Sequence, residues 1–284
     1  MTAAVQPVRR DLKFRLGDDQ VTRWNWHGNL HVSQYFNTLS LFFPEGERFF
    51  IDSVRAYRDR VKDDPELSEA VRAFIGQEAM HGREHDEYND KLDAAGVPVK
   101  AQERVVTRLL KAVQRTLPTR MHLAATVALE HYTAILADIL LREPELLEGA
   151  DEKYAALWRW HALEETEHKA VAFDLYEAVF GRGPVAYAER TFAMLLATVL
   201  FLGLLYPFYF ENVRRKGGLF DLKGWWSSLQ LQFGRPGALR KVFPAWLDWF
   251  RPGFHPWDHD NRHFLEQMDE MLEVVRRHEE AEAA

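Results

Sequence analysis

Two short runs constrain this chain more than anything else in it: Gln77-Glu78-Ala79-Met80-His81 and Glu164-Glu165-Thr166-Glu167-His168. Each sets a glutamate three residues before a histidine, and on a helix that spacing puts both on one face. A single Glu-x-x-His is weak, since a chain of this length and composition contains roughly one by chance. Each of these two is also preceded, 31 and 35 residues upstream, by a glutamate on an apolar helical face: Glu47 before Glu78, and Glu130 before Glu165. The order Glu, Glu-x-x-His, Glu, Glu-x-x-His is what a four-helix bundle needs to hold two metal ions in its core.

Periodicity supports the helices. Phe36, Leu39, Phe43, Glu47, Phe50, Ile51 and Val54 fall at spacings of three and four, with Pro44 expected to start a new helix or kink this one. Glu47 lies inside that stripe, whereas Glu45 sits about 200° away around the helix and is expected to face solvent or the bundle edge. Asp64-Pro65-Glu66 reads as a capped start and Gly96 as a stop, with Phe74, Glu78, His81, His85 and Leu92 sharing the inner face between them. Gly82 in that interior costs about 1 kcal/mol against alanine, which suggests room made for something close by. A short helix, about 102–115, leads to a break at Leu117-Pro118-Thr119. The next helix, 120–141, has Glu130 as the acid of its stripe, with His131 rotated by about 100° toward a supporting or surface role. A last helix is expected over 152–180, with His161, Glu165 and His168 on one face. Glu164 and Glu167 point elsewhere and are expected to be solvated or paired with neighbours such as Lys169.

Cysteine is absent, which excludes disulfides, thiolate-held zinc, iron-sulfur clusters and cysteine nucleophiles, so any metal must be held by carboxylate and imidazole. The 43 acidic and 36 basic residues are interspersed and sum to -7, so no basic field points to nucleic acid. With 284 residues, 47% of them hydrophobic, one large helical domain with appendages is the simplest organisation. Residues 1–34 read as an arm and loop, polar at first and then carrying a Trp and His cluster in which His27 and His31 are expected to pack or face solvent. Residues 35–184 read as the metal-binding bundle. No signal peptide is visible, so a cytoplasmic protein is expected.

Residues 191–210 run without a charge between Arg190 and Arg214-Arg215-Lys216. Length permits a membrane span, but Gly203 and Pro207 interrupt it. Within 185–216, a buried helix or substrate-lining wall is favoured, ahead of insertion into a membrane surface and ahead of true spanning. Residues 217–284 carry Trp225, Trp226, Trp246, Trp249 and Trp257, which suit an interfacial belt or an aromatic lid, and then a charged amphipathic helix from His259.

Four glutamates and two histidines give each of two divalent ions one histidine and shared carboxylates, with positions left open. Such a site suits iron first, with manganese or zinc as alternatives. His85 and His161 stand one turn beyond and one turn before their motifs, as extra ligands, orienting groups or proton shuttles, and so as the candidate catalytic residues.

The four-element pattern resembles the ferritin-like di-iron carboxylate proteins. The stretches Phe43-Pro44-Glu45-Gly46-Glu47-Arg48-Phe49-Phe50, Glu78-Ala79-Met80-His81, Trp160-His161-Ala162-Leu163-Glu164-Glu165-Thr166-Glu167-His168 and Pro252-Gly253-Phe254-His255-Pro256 are similar to a bacterial family called "predicted metal-dependent hydrolase", over about residues 20–270. The resemblance implies an all-α, ferritin-like bundle and a metal site at Glu47, Glu78, His81, Glu130, Glu165 and His168. Three readings compete. The carboxylate-rich ligands and apolar surroundings favour an O2-activating oxidase or monooxygenase for a hydrophobic, lipid-like substrate, served by an electron-donor protein. The alternative is a hydrolase in which a metal-bound water attacks an ester or amide with His85 or His161 as base. The third is a non-catalytic metal-binding protein. A peripheral membrane contact and a homodimer through 191–210 complete the expected partners.

Overall fold

Prolines and short polar caps set where the helices begin. The computed structural model describes residues 5–16 and 28–283, with side chains as far as His278, and every regular element among them is helical. Asn29 opens α1 (Leu30–Ser40) by accepting from the amides of His31 and Val32. Pro44 stands in the first turn of α2 (Phe43–Arg55), so it starts a new helix. Asp64 caps α3 (Pro65–Ala94) by accepting from Leu67 N, and Gly96, at φ +85°, follows its end, both as the sequence predicts. Next come α4 (Val99–Thr116) and α5 (Thr119–Arg142).

The single helix expected over 152–180 is two: α6 (Glu152–His168) stops at the second motif's histidine, and α7 (Val171–Phe180) resumes after Lys169 and Ala170. Lys169 holds the chain off its course. Its buried Nζ donates to His259 O and Asn261 Oδ1 and lies 4.1 Å from the Trp257 ring centre, a set of partners that a straight helix does not reach. After α8 (Pro184–Arg215), α9 (Leu222–Phe233) and α10 (Ala238–Asp248), the last helix, α11 (Met268–Ala283), begins at Met268 rather than His259 because two 3-10 turns, Pro256–Asp258 and Arg262–Gln267, take up the intervening chain.

Helix α2 packs on α3, α3 on α6, α6 on α5, and α5 back on α2, so the four elements that carry the Glu and Glu-x-x-His signals surround one interior. Phe74, Leu123, Leu157 and Leu163 are fully buried around it. The N-terminal arm is anchored in the interior rather than merely lying on the surface. Phe14 and Leu16 are buried, Phe14 lies 5.3 Å from the Trp160 ring, and Phe14 N donates to the buried Glu84 of α3. Two apolar anchors in an irregular segment leave no periodicity to read. His27 lies outside the described residues. His31 packs, as expected, with its ring nitrogens on Tyr209 OH and Gly218 O. His131 takes no part in the interior site: it is buried against Trp249 and Phe254 with Nε2 at Ala245 O.

Helix α8 meets the buried-wall expectation on one side. Ala193, Met194, Ala197 and Leu205 face inward, while Phe192, Leu195, Val199 and Phe210 stand exposed. Helices α5 and α8 are both long and apolar enough to cross a membrane, but 72% of the apolar window of α5 is buried against 22% for α8. The exposed stripe continues on α9 through Leu222, Trp226, Leu229 and Phe233. Of the five C-terminal tryptophans, Trp249 is fully buried and Trp226 is exposed.

Candidate metal centre

Glu47 from α2, Glu78 and His81 from α3, Glu130 from α5, and Glu165 and His168 from α6 converge inside the ring, each at most 2% exposed. Their ligand atoms form three sets, each with all members within 4.8 Å of one another: Glu78, Glu130 and His168; Glu78, His81 and Glu165; and Glu47, His81 and His161. Glu78 belongs to two sets and bridges them. Gly82 has the reason the sequence hints at, because a Cβ there would stand 3.0 Å from Glu47 Oε2.

The outward nitrogen of each histidine is occupied, which leaves the inward one bare. Gln77 donates through Nε2 to Glu167 Oε2 and Val8 O, so its Oε1 accepts from His168 Nδ1 at 2.9 Å. His168 Nε2 then points a lone pair at Glu78, Glu165 and Glu130, at 3.1, 3.4 and 3.5 Å. His81 Nε2 donates to Glu164 Oε2 at 3.0 Å, and its Nδ1 faces Glu78 and Glu165 at 3.8 and 3.9 Å. An acceptor behind each imidazole fixes its tautomer and raises its basicity.

A third chain of bonds fixes His161. Asn89 Nδ2 donates to Ser40 O and Glu103 Oε1, so Asn89 Oδ1 takes the Ser40 hydroxyl proton at 2.9 Å. Ser40 Oγ then accepts from His85 Nδ1 at 2.8 Å, and His85 Nε2 accepts from His161 Nδ1 at 2.8 Å. His161 Nε2 then faces the cluster, within hydrogen-bond distance of Glu165 Oε1 at 3.0 Å and 3.9 Å from Glu47 Oε1. The two candidate catalytic histidines therefore differ: His161 opens onto the cluster, and His85 stands behind it.

Among the described residues, eight buried atoms of this cluster have no hydrogen-bond partner: both carboxylate oxygens of Glu47, Glu78 and Glu130, His81 Nδ1 and His168 Nε2. Unpartnered buried oxygens are costly, and lone pairs aimed at one another repel. Burial, and after it the charge of neighbouring glutamates, pushes the Glu47, Glu78 and Glu130 carboxyls well above their ordinary range. Burial also raises Glu165, but His168 and His161, when protonated, hold it well below its ordinary range. Burial keeps His81 and His85 neutral. Four carboxylates facing bare imidazole nitrogens fit cations, and two divalent ions would balance their charge.

Glu164 and Glu167 are not solvated. Both are buried and bind Arg10 of the N-terminal arm, at 3.1 and 2.8 Å, and burial, offset by Arg10, pushes Glu164 up to about 7. Glu164, Gln77, Ser40, Asn89 and Arg10 are the supporting residues that sequence reasoning missed. One signal was present: Gln77 and Glu164 each directly precede a motif glutamate, inside helices already assigned.

Two apolar cavities touch the cluster. A groove of about 140 Å³ between α2, α4, α5 and α8 ends at Glu47, and a cavity of about 70 Å³ ends at His161 and Glu165. Thr133, which donates to Glu165 Oε2 at 2.6 Å, stands between them.

The profile of a protein family described as "Predicted metal-dependent hydrolase" matches residues 8–260. The chain belongs to that family. No curated protein and no solved structure matches it. Membership in the predicted metal-dependent hydrolases overturns the favoured expectation of an oxidase or monooxygenase and supports the hydrolytic alternative. Carboxylate and imidazole ligands serve hydrolytic and redox centres alike, so ligand type alone did not discriminate between them.

Proposed function

We propose that the protein hydrolyses an ester or amide at two divalent metal ions held by Glu47, Glu78, His81, Glu130, Glu165 and His168 in a ferritin-like four-helix bundle. The observation that carries this reading is the set of eight unpartnered, buried donor atoms with inward histidine lone pairs. When bound, the ions supply a water of lowered pKa and a Lewis acid for the scissile carbonyl. Iron, manganese and zinc all suit the ligand set.

The residues around the ions divide the remaining work. His161 Nε2, which lines the smaller cavity, would accept the proton of the attacking water, and the imidazolium would be stabilised by its 3.0 Å bond to Glu165. His85 orients His161 through the 2.8 Å bond between their rings. Phe43, stacked 4.5 Å from His85, and Trp158 exclude bulk water from this side. The test is hydrolysis of p-nitrophenyl acetate by full-length protein, before and after chelation. Activity lost on chelation and restored by manganese or zinc is expected, and activity indifferent to chelation contradicts the reading.

We also infer a peripheral membrane contact. It is supported by the exposed apolar stripes of α8 and α9 and by local charge: nine basic against four acidic residues lie between 185 and 257, in a chain of net -7. Cosedimentation with phosphatidylglycerol-containing vesicles, weakened by salt and by Trp226→Ser, is expected. A lipid-independent dimer that buries this face contradicts it.

A further inference from the structure

The groove between α4 and α8 is almost wholly apolar. Of its 24 lining residues, Glu47, Tyr132 and Thr133 have a nitrogen or oxygen in the side chain, and Tyr132 OH is already bonded to Thr198. Glu47 and Thr133 both stand at the inner end, beside the carboxylate cluster. Along α8 the lining runs from Ala193 to Leu204, roughly 16 Å at the helical rise, about the length of a twelve-carbon chain. A lining this long and this apolar matches an extended polymethylene chain. Ala125, Ala193, Ala197 and Gly46 line it with small side chains.

We propose that this groove holds a single linear acyl chain, so that the substrate is a long-chain carboxylic ester with its carbonyl at Glu47 and Thr133. The reaction rests on the hydrolase reading above, whereas the binding does not. In the reaction, the oxygen of water forms a new bond to the acyl carbon. The ester carbon–oxygen bond breaks, one water proton passes through His161 to the departing alkoxide, and a fatty acid and an alcohol are left. The occupant is a chain rather than a protein helix because the groove leads inward to Glu47 and the cluster, whereas a helix about 10 Å across would stop at the surface. Apolar walls also give a simple rule: each added methylene buries the same area and tightens binding about fourfold until the groove is full.

Two measurements on the full chain test this separately from the hydrolase reading. The first is binding of a non-hydrolysable long-chain methyl ketone, by displacement of a fluorescent fatty-acid probe. The second is hydrolysis of p-nitrophenyl esters from acetate to palmitate with manganese present. Affinity is expected to climb by about fourfold per methylene and level off near about twelve carbons. Ala197→Phe and Leu200→Trp, which narrow the groove at two points, are expected to move that plateau to shorter chains while metal content stays at the wild-type level. Ketone binding without any ester hydrolysis would sink the hydrolase reading and leave the acyl groove standing. Metal-dependent hydrolysis that is flat across chain length, with no ketone binding, would overturn the groove and leave the hydrolase reading intact. A plateau unmoved in both variants would also overturn it.

Discussion

Two regions meet at Glu47 and are opposites in chemistry. On its inner side lie four carboxylates and three inward imidazole nitrogens, with eight of these ligand atoms lacking hydrogen bonds among the described residues. On its outer side lies a groove with almost no polar atoms. Each is incomplete in its own way: the inner region lacks positive charge, and the outer one lacks apolar contact. A residue in the inner region therefore opposes metal-free folding while enabling binding, and the trade between stability and function should be sharpest there.

The largest effect expected is at Glu78, which two of the three ligand sets share. Glu78→Gln should abolish metal binding and activity, yet raise the stability of the metal-free protein by about 1–2 kcal/mol by relieving buried like charge. Chemical denaturation with and without metal checks both halves, and a destabilised metal-free variant would break the contrast between the regions.

Arg10→Ala comes next. It leaves Glu164 and Glu167, which stand behind His81 and Gln77, buried without their cation and should cost about 2–3 kcal/mol whether or not metal is present. Urea denaturation reads it.

The pH dependence follows from the raised carboxyls. Glu47, Glu78 and Glu130 titrate higher in the folded chain than in the unfolded one. They therefore stabilise the metal-free protein fully below the unfolded value, and that contribution is lost as pH rises through the raised values. Metal requires the ionised forms and so binds more tightly as pH rises. The Tm gained on adding manganese should widen from about pH 6 to about pH 8, as scanning calorimetry would show. A constant gap would contradict the assignment of these carboxyls as ligands.

Smaller effects mark the edges. Ser40→Ala removes the acceptor behind His85 and should lower kcat roughly tenfold with metal retained. Glu45→Ala, which removes a half-buried partner of the exposed Arg48 on the same helix as Glu47, should change stability by less than about 0.5 kcal/mol.

The inner region was far more legible in the sequence than its surroundings, and the reason is physical. A glutamate within a phenylalanine stripe, as at Glu47, conflicts with its neighbours, and regular helical spacing converts such a conflict into a location. That logic separated Glu47 from Glu45 and brought all six proposed ligands to one interior. It missed what acts across long sequence separations. Arg10 meets Glu164 from 154 residues away, so Glu164 and Glu167 looked solvated. The break after His168 depends on Lys169 meeting residues about 90 positions later. The reaction class was misjudged because an oxygen-rich ligand set is shared by two chemistries, and no residue spacing separates them.

The central claim is that the cluster binds two divalent metal ions through residues that are otherwise unpaired. The most direct test is the metal content of full-length protein equilibrated with manganese near about pH 7.5, wild type beside Glu78→Gln, where the raised carboxyls can ionise to bind metal. About two ions per chain in the wild type, falling to none in the variant, is the predicted result. Equal metal in both proteins, or none in either, would contradict the account.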